Sequence, residues 1–214
     1  MRHIIVTRFS VPRPQDPPHA QRHADPAWLD SRMVLFRRYF VPSTERIGVP
    51  VVLLCSRLSA PRVASAVADL SYMEVVVQDD WYGGWSGAPD QILTRHDSDD
   101  ALHEGWFEAL DSASPGAEVY CTYDFLRLDT RSDRVYAYRR KEPSPLAGFA
   151  GGRNPFAHDH ASLEQHYDCR RIDGAYLLQV VHGGNLSSRI SAFAFRRRTS
   201  RRRLEPFGLA GAVG

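Results

Sequence analysis

Gln91-Ile92-Leu93-Thr94-Arg95-His96-Asp97-Ser98-Asp99-Asp100-Ala101-Leu102 sets an apolar stretch of strand length directly before three carboxylates in four residues. Such a cluster repels itself and needs a cation or hydrogen bonds to hold it in place. Ligands of open α/β sheets gather outside the carboxyl ends of strands, where this run falls. Two readings fit the spacing. Ser98, Asp99 and Asp100 can cap a helix that starts at Ala101, since Asp and Ser favour N-caps and acids favour the positive helix end. Alternatively the carboxylates hold a divalent ion, Mg²⁺ or Mn²⁺, which leaves further positions to water and substrate phosphates. The spacing of Leu102, Trp106, Phe107 and Leu110 predicts a helix over 101–110.

Outward from this run, 3–7 reads as a strand and the proline-broken 11–26 as a loop. Pro26 suits a first helical turn, and Trp28, Leu29, Met33, Leu35, Phe36, Tyr39 and Phe40 recur at helical spacing, so a helix is expected from Pro26 to near Pro42. The continuous apolar run 49–55 suits a strand buried on both faces. A helix over 60–70, a strand over 73–77 and a Trp- and Gly-rich loop over 79–89 follow. The second half offers strands at 118–123, 125–128, 134–139 and 175–181, a flexible Gly-rich segment at 148–154 and a polar, ambiguous one at 158–167. The expected fold is α/β: one domain over 1–195 with a mixed, mostly parallel central sheet flanked by helices, and a smaller antiparallel section in the second half. An Arg-rich, partly flexible tail covers 196–214.

The chain has 214 residues, 43% of them apolar and 11% aromatic, enough for one sizeable core. Net charge is only +2, with Lys141 the sole lysine. Cys55, Cys121 and Cys169 fall outside any C-x-x-C spacing, which suits a reducing compartment rather than a disulfide framework or a zinc site. No apolar run approaches the length of a membrane span, so a cytoplasmic protein is expected. Its arginine tail, Arg196 to Arg198 and Arg201 to Arg203, is able to touch anionic lipid weakly at the inner membrane face.

Three blocks carry a family resemblance. Ile4-Ile5-Val6-Thr7-Arg8-Phe9 resembles the first strand of a rhamnosyltransferase family. Trp28-Leu29-Asp30-Ser31-Arg32, with Leu35-Phe36 and Val41-Pro42-Ser43, is similar to its Trp-Leu-x-x-Arg helix, and Ile92 to Leu102 is similar to its Thr-Arg-Leu-Asp-x-Asp-Asp-Ala segment. His96 departs from the pattern, standing where an apolar residue is usual. The resemblance spans 3 to about 190 and is weakest over 148–173. It implies a GT-A type glycosyltransferase fold, a nucleotide-diphospho-sugar donor carrying a hexose such as rhamnose, and Mn²⁺ or Mg²⁺ bridging the diphosphate. Thr7, Arg8, Arg95 and Asp97 would then bind the nucleotide-sugar. Asp97, Asp99 and Asp100 would face the metal, and His182, at the end of the last strand before Gly183-Gly184-Asn185, would complete its shell.

The acceptor, a saccharide or another hydroxyl compound, would need a base, for which Asp159, His160 and Glu164 are the candidates. His158, His160 and His166 suit acceptor recognition or plain surface. Trp81, Tyr82 and Trp85 either stack on a sugar or pack an ordinary loop. Two other classes compete: nucleic-acid binding through the arginine tail, and a metal-dependent phosphohydrolase or nucleotidyltransferase using the same carboxylates. A non-catalytic binder of nucleotide-sugar is a further alternative. Sugar, base, acceptor, anomeric outcome and oligomeric state are not legible in the sequence.

Overall fold

A computed structural model describes residues 1–13, 22–23, 25–83, 85–113, 115–182 and 197–209. Most of the expected 11–26 loop and the Gly183-Gly184-Asn185 turn lie outside the described residues. The first half alternates strand and helix: β1 (Arg2–Ser10), α1 (Pro26–Leu35), α2 (Val41–Ile47), β2 (Val51–Cys55), α3 (Ala60–Ala66), β3 (Met73–Val77) and β4 (Gln91–Arg95). Then come β5 (Ala101–Leu102), α4 (Trp106–Ser112), β6 (Val119–Cys121), β7 (Asp124–Asp129), β8 (Arg134–Arg139), β9 (Ala147–Phe149), α5 (Leu163–His166), β10 (Cys169–Arg171), β11 (Ala175–Val181) and β12 (Arg197–Arg198).

The fold is α/β, as expected. One seven-stranded sheet has the order β10-β6-β9-β4-β1-β2-β3, and a five-stranded sheet the order β12-β8-β7-β11-β5. In the larger sheet only β9 runs antiparallel to its neighbours. β1 lies between β2 and β4, parallel to both. The chain therefore winds outward from β1 to β3, returns, and adds β4 on the other side. That reversal is a topological switch point, and the crevice at the carboxyl ends of β1 and β4 is where such a sheet binds ligands.

Both faces of this sheet are covered, which explains the unbroken apolar run of β2. Val51, Leu53 and Cys55 enter the core layer that holds Phe36, Phe40 and Trp106, while Val52 and Leu54 enter the opposite layer with Phe149 and Phe156. A third cluster of Leu126, Leu128, Leu178, Leu204 and Phe207 fills the underside of the smaller sheet.

Four expectations are corrected. The helix begun at Pro26, with Asp25 Oδ1 accepting from the Ala27 N–H at 2.9 Å, does not stop near Pro42. A π turn over Phe36–Phe40 leads into α2, which ends at Gly48 with φ 72°. The wider turn, in which the Val41 N–H reaches Phe36 O, sets Pro42 in a first-turn position where its missing N–H goes unmissed. The acidic run does not cap a helix: Ala101 and Leu102 pair antiparallel with Leu178 and Leu177, and α4 starts only at Trp106. Leu102 is buried as its spacing requires, but through a strand. The Gly-rich 148–154 segment is not a loose linker, because Gly148 sits inside β9 where a Cβ would lie 3.1 Å from Leu110.

The arginine-rich end is the fourth. Arg197–Arg198 pairs with β8 and Arg201–Phe207 forms a 3-10 turn burying Leu204 and Phe207, so its described residues belong to the body of the domain. Arg201 pairs with Asp133. Among the described residues no helix is long and apolar enough to cross a membrane.

Candidate functional site

A cleft of about 750 Å³ opens at the switch point, between the carboxyl ends of β1 and β4, α1, the smaller sheet and the 158–161 segment. Eight arginines and four aspartates line it, so its charge is strongly positive although the chain is nearly neutral.

Arg8 and Arg95 form its floor. Strand alternation sends Ile5 and Phe9 into one core layer and leaves Arg8 on the opposite face. There its guanidinium lies 3.5 Å from the Trp81 ring centre and 4.4 Å from that of Phe156, and Nη1 donates to Trp81 O at 3.1 Å. Arg95 shares Phe156 at 5.2 Å and donates to His158 O at 3.0 Å, while its buried Nε has no hydrogen-bond partner. Burial, and then the neighbouring Arg95, push Arg8 down to about 9; burial also lowers Arg95, with Asp97 and Asp159 opposing. Among the described residues neither guanidinium has a carboxylate at ion-pair distance. Two adjacent guanidinium groups, one half-buried and one buried, held by backbone carbonyls and with no carboxylate in contact, can accept an anion.

The acidic connection is arranged differently. Asp97 is half-buried and lines the cleft. Asp99 Oδ2 accepts from Arg32 Nη1 at 2.8 Å and lies 3.0 Å from His182 Nε2, and Arg32 Nη2 donates to Ser98 Oγ at 2.7 Å. Burial works to raise Asp99, but Arg32 and His182 more than offset it and hold the carboxyl well below the ordinary range. Asp100 Oδ1 accepts from the Val180 N–H at 2.8 Å, tying β4's exit to β11. Burial and the charges of Asp99 and Asp97 push Asp100 well above the usual carboxylate value.

These contacts decide the fit of Mn²⁺ or Mg²⁺. The run does bring Asp97, Asp99, Asp100 and His182 to one corner. In this arrangement, however, the Asp99 oxygen nearest His182 already carries a guanidinium, the His182 nitrogen beside it serves that same oxygen as donor, and one oxygen of Asp100 is taken by a backbone amide. Asp99 Oδ2 and His182 therefore do not fit an ion while Arg32 is seated.

Of the other expected residues, Thr7 is fully buried on the face away from Arg8, its Oγ1 without a partner, and does not line the cleft. His96 is buried against Phe40, ring centres 5.2 Å apart, with neither ring nitrogen hydrogen-bonded; burial drives it down to about 4. Asp159 and His160 line the cleft, and Glu164 does not: its Oε1 accepts the Tyr123 hydroxyl. His160 Nε2 lies 3.2 Å from Arg140 Nη1; burial, then Arg95 and Arg140 against Asp97 and Asp159, bring it to about 4. His158 turns away to stack on His166 at 3.7 Å. Trp81 is the seat of Arg8 rather than an open platform.

The sequence reading gave no role to Arg32, Arg127 or Arg140. A signal existed for Arg127: an arginine alternating with Leu126 and Leu128 in a strand must face something other than core. Its guanidinium lies 4.5 Å from the Tyr138 ring centre and Nε donates to Gln179 Oε1 at 2.6 Å. The fold and the site together define an α/β protein with an arginine-rich cleft at the switch point of a mostly parallel sheet. Neither the protein-family models nor the curated proteins compared with the chain match it.

Proposed function

We propose that this cleft binds a nucleotide-diphospho-sugar and transfers its sugar, rhamnose or another hexose, to a hydroxyl acceptor, as a GT-A type glycosyltransferase. The observation that carries the reading is the pair Arg8 and Arg95, held side by side without carboxylate partners at the ends of two adjacent parallel strands. A diphosphate supplies the counter-charge they lack. Asp97, two residues beyond Arg95 and half-buried in the same cleft, suits hydroxyls of ribose or sugar. The resemblance of the β1, α1 and β4 blocks to a rhamnosyltransferase family supports the same assignment.

Sugar transfer needs the leaving diphosphate stabilised and a proton taken from the acceptor hydroxyl. Preorganised guanidinium groups, that of Arg95 buried, meet the first need. His160, neutral at pH 7 and lining the cleft, meets the second once Arg140, which can only donate to its Nε2, turns to the diphosphate and frees that lone pair, with Asp159 beside it at the rim. The bound Mn²⁺ or Mg²⁺ that the resemblance implies enters no step here, because Arg32 occupies its corner. A cytoplasmic setting agrees with the three free cysteines.

The test is product analysis. The protein is incubated with UDP-, GDP- and dTDP-sugars, with and without simple saccharide acceptors, and the products are separated by mass. Release of a nucleoside diphosphate together with free or transferred sugar is expected. Release of nucleoside monophosphate or inorganic phosphate instead assigns the cleft to a phosphohydrolase.

A further inference from the structure

Three carboxylates gathered in four residues demand a compensating cation, and the chain brings one. Arg32 stands on α1, whose start is fixed by the Asp25 cap and whose inner face is fixed by buried Leu29. Its side chain is 18% exposed and that of Asp99 13%. The planar fork spans two acceptors of the run, Asp99 Oδ2 and Ser98 Oγ, a match that a rigid guanidinium makes and a single point charge does not. His182 reaches the same Oδ2 from the opposite element, the end of β11. A carboxylate oxygen only accepts, so the His182 nitrogen facing it carries the hydrogen and offers no lone pair to an ion. A divalent ion held through Asp99 Oδ2 and His182 would have to displace Arg32, leaving a buried guanidinium unpaired, which is the costly way to break such a pair.

Resting on the transferase reading above, we infer that Arg32 is the resident cation of the acidic connection, and that the cleft takes a nucleoside diphosphate through Arg8 and Arg95 without any divalent ion. The phosphates and the carboxylates then have separate partners: the arginines of β1 and β4 for the ligand, Arg32 for the run. Where a metal bridge would join carboxylate to diphosphate, two sets of guanidinium groups do the two halves of the work.

The experiment titrates UDP, GDP and dTDP into the full chain, in EDTA and again with added Mn²⁺ or Mg²⁺, and reads affinity by calorimetry. One diphosphate is expected to bind in EDTA with an affinity that added ion changes by less than about twofold, since an ion that is not part of the complex has no linkage to it. Binding that EDTA abolishes and Mn²⁺ or Mg²⁺ restores overturns the inference and leaves the transferase reading standing. Failure of every diphosphate under both conditions removes both. A second arm uses thermal unfolding with Mn²⁺ alone. The parent is expected not to respond, and Arg32→Gln, which vacates Asp99, is expected to gain a melting-temperature rise with Mn²⁺. An equal rise in the parent overturns the inference, and the calorimetric arm decides if the variant does not fold.

Discussion

The guanidinium of Arg8 lies 3.5 Å over the Trp81 ring, repelled by Arg95, attracted by Asp97 and Asp159, and with no carboxylate at ion-pair distance among the described residues. A cation stacked on an aromatic ring and repelled by another cation is poised for an anion and costly without one. Arg8→Met is therefore expected to raise the melting temperature of the empty protein while weakening nucleoside diphosphate binding at least about tenfold, the worth of one hydrogen bond to a charged group. Thermal unfolding and calorimetry on the same sample check the two effects. A variant that loses stability as well as affinity would show Arg8 to be a structural arginine.

Asp99 and Asp100 are neighbours with opposite duties, and amide substitution separates them. Asp99→Asn removes the charge opposite the buried Arg32 and is expected to cost roughly 3–5 kcal/mol. Asp100→Asn keeps an oxygen for the Val180 N–H and removes a carboxyl already held up by burial and by Asp99, so a change below about 1 kcal/mol is expected. Urea denaturation measures both. Equal losses would mean that the two side chains share one role.

Why the sequence yielded the sheet but not the whole site follows from these residues. Strands such as β2 and β4 are legible because burial on both faces writes itself as an unbroken apolar run, and alternation in the first half implies parallel pairing. Arg8 and Arg95 came forward only through the family resemblance, because nothing in local spacing tells that β1 and β4 are neighbours. The partner of the acidic run was not, because Arg32 lies 67 residues away from Asp99 and nothing in local spacing ties them. Periodicity likewise placed Leu102 in the core without telling a helix from a two-residue strand completed by β11. Pro42 reads as a stop because a π turn leaves no mark of its own in the sequence.

His96 gives a pH prediction whose sign is set by its burial. Its folded value of about 4 lies below the ordinary 6.5, so between these values the unfolded chain holds a proton that the folded chain does not. Stability conferred by the neutral ring is complete above about pH 6.5 and is lost as pH falls toward 4. Asp97, Asp99 and the nearby backbone of Asp100 oppose the shift without cancelling it. His96→Leu also removes two unpartnered buried nitrogens and is expected to stabilise the protein by about 1 kcal/mol at pH 7. The variant should show a shallower fall between pH 6.5 and 4, with the remainder carried in part by His160, whose value is shifted the same way. A variant less stable than the parent at pH 7 would mean that the ring has a polar partner.

His160 is held low by burial, Arg95 and Arg140, and those arginines face the cleft that the diphosphate is proposed to fill. A bound dianion offsets their repulsion of the protonated ring, so the His160 value should rise on binding. The acid limb of kcat, which reports the bound state, is then expected at higher pH than that of kcat/KM, which reports the free protein. His160→Ala should lower kcat for sugar transfer or donor hydrolysis by about 10²–10⁴-fold with little change in KM for the donor. Glu164→Gln, outside the cleft and bonded to Tyr123, should leave kcat unchanged. If both acid limbs coincide and His160→Ala keeps the parent kcat, the proton goes elsewhere, and Asp159, at the rim of the same cleft, becomes the residue to substitute.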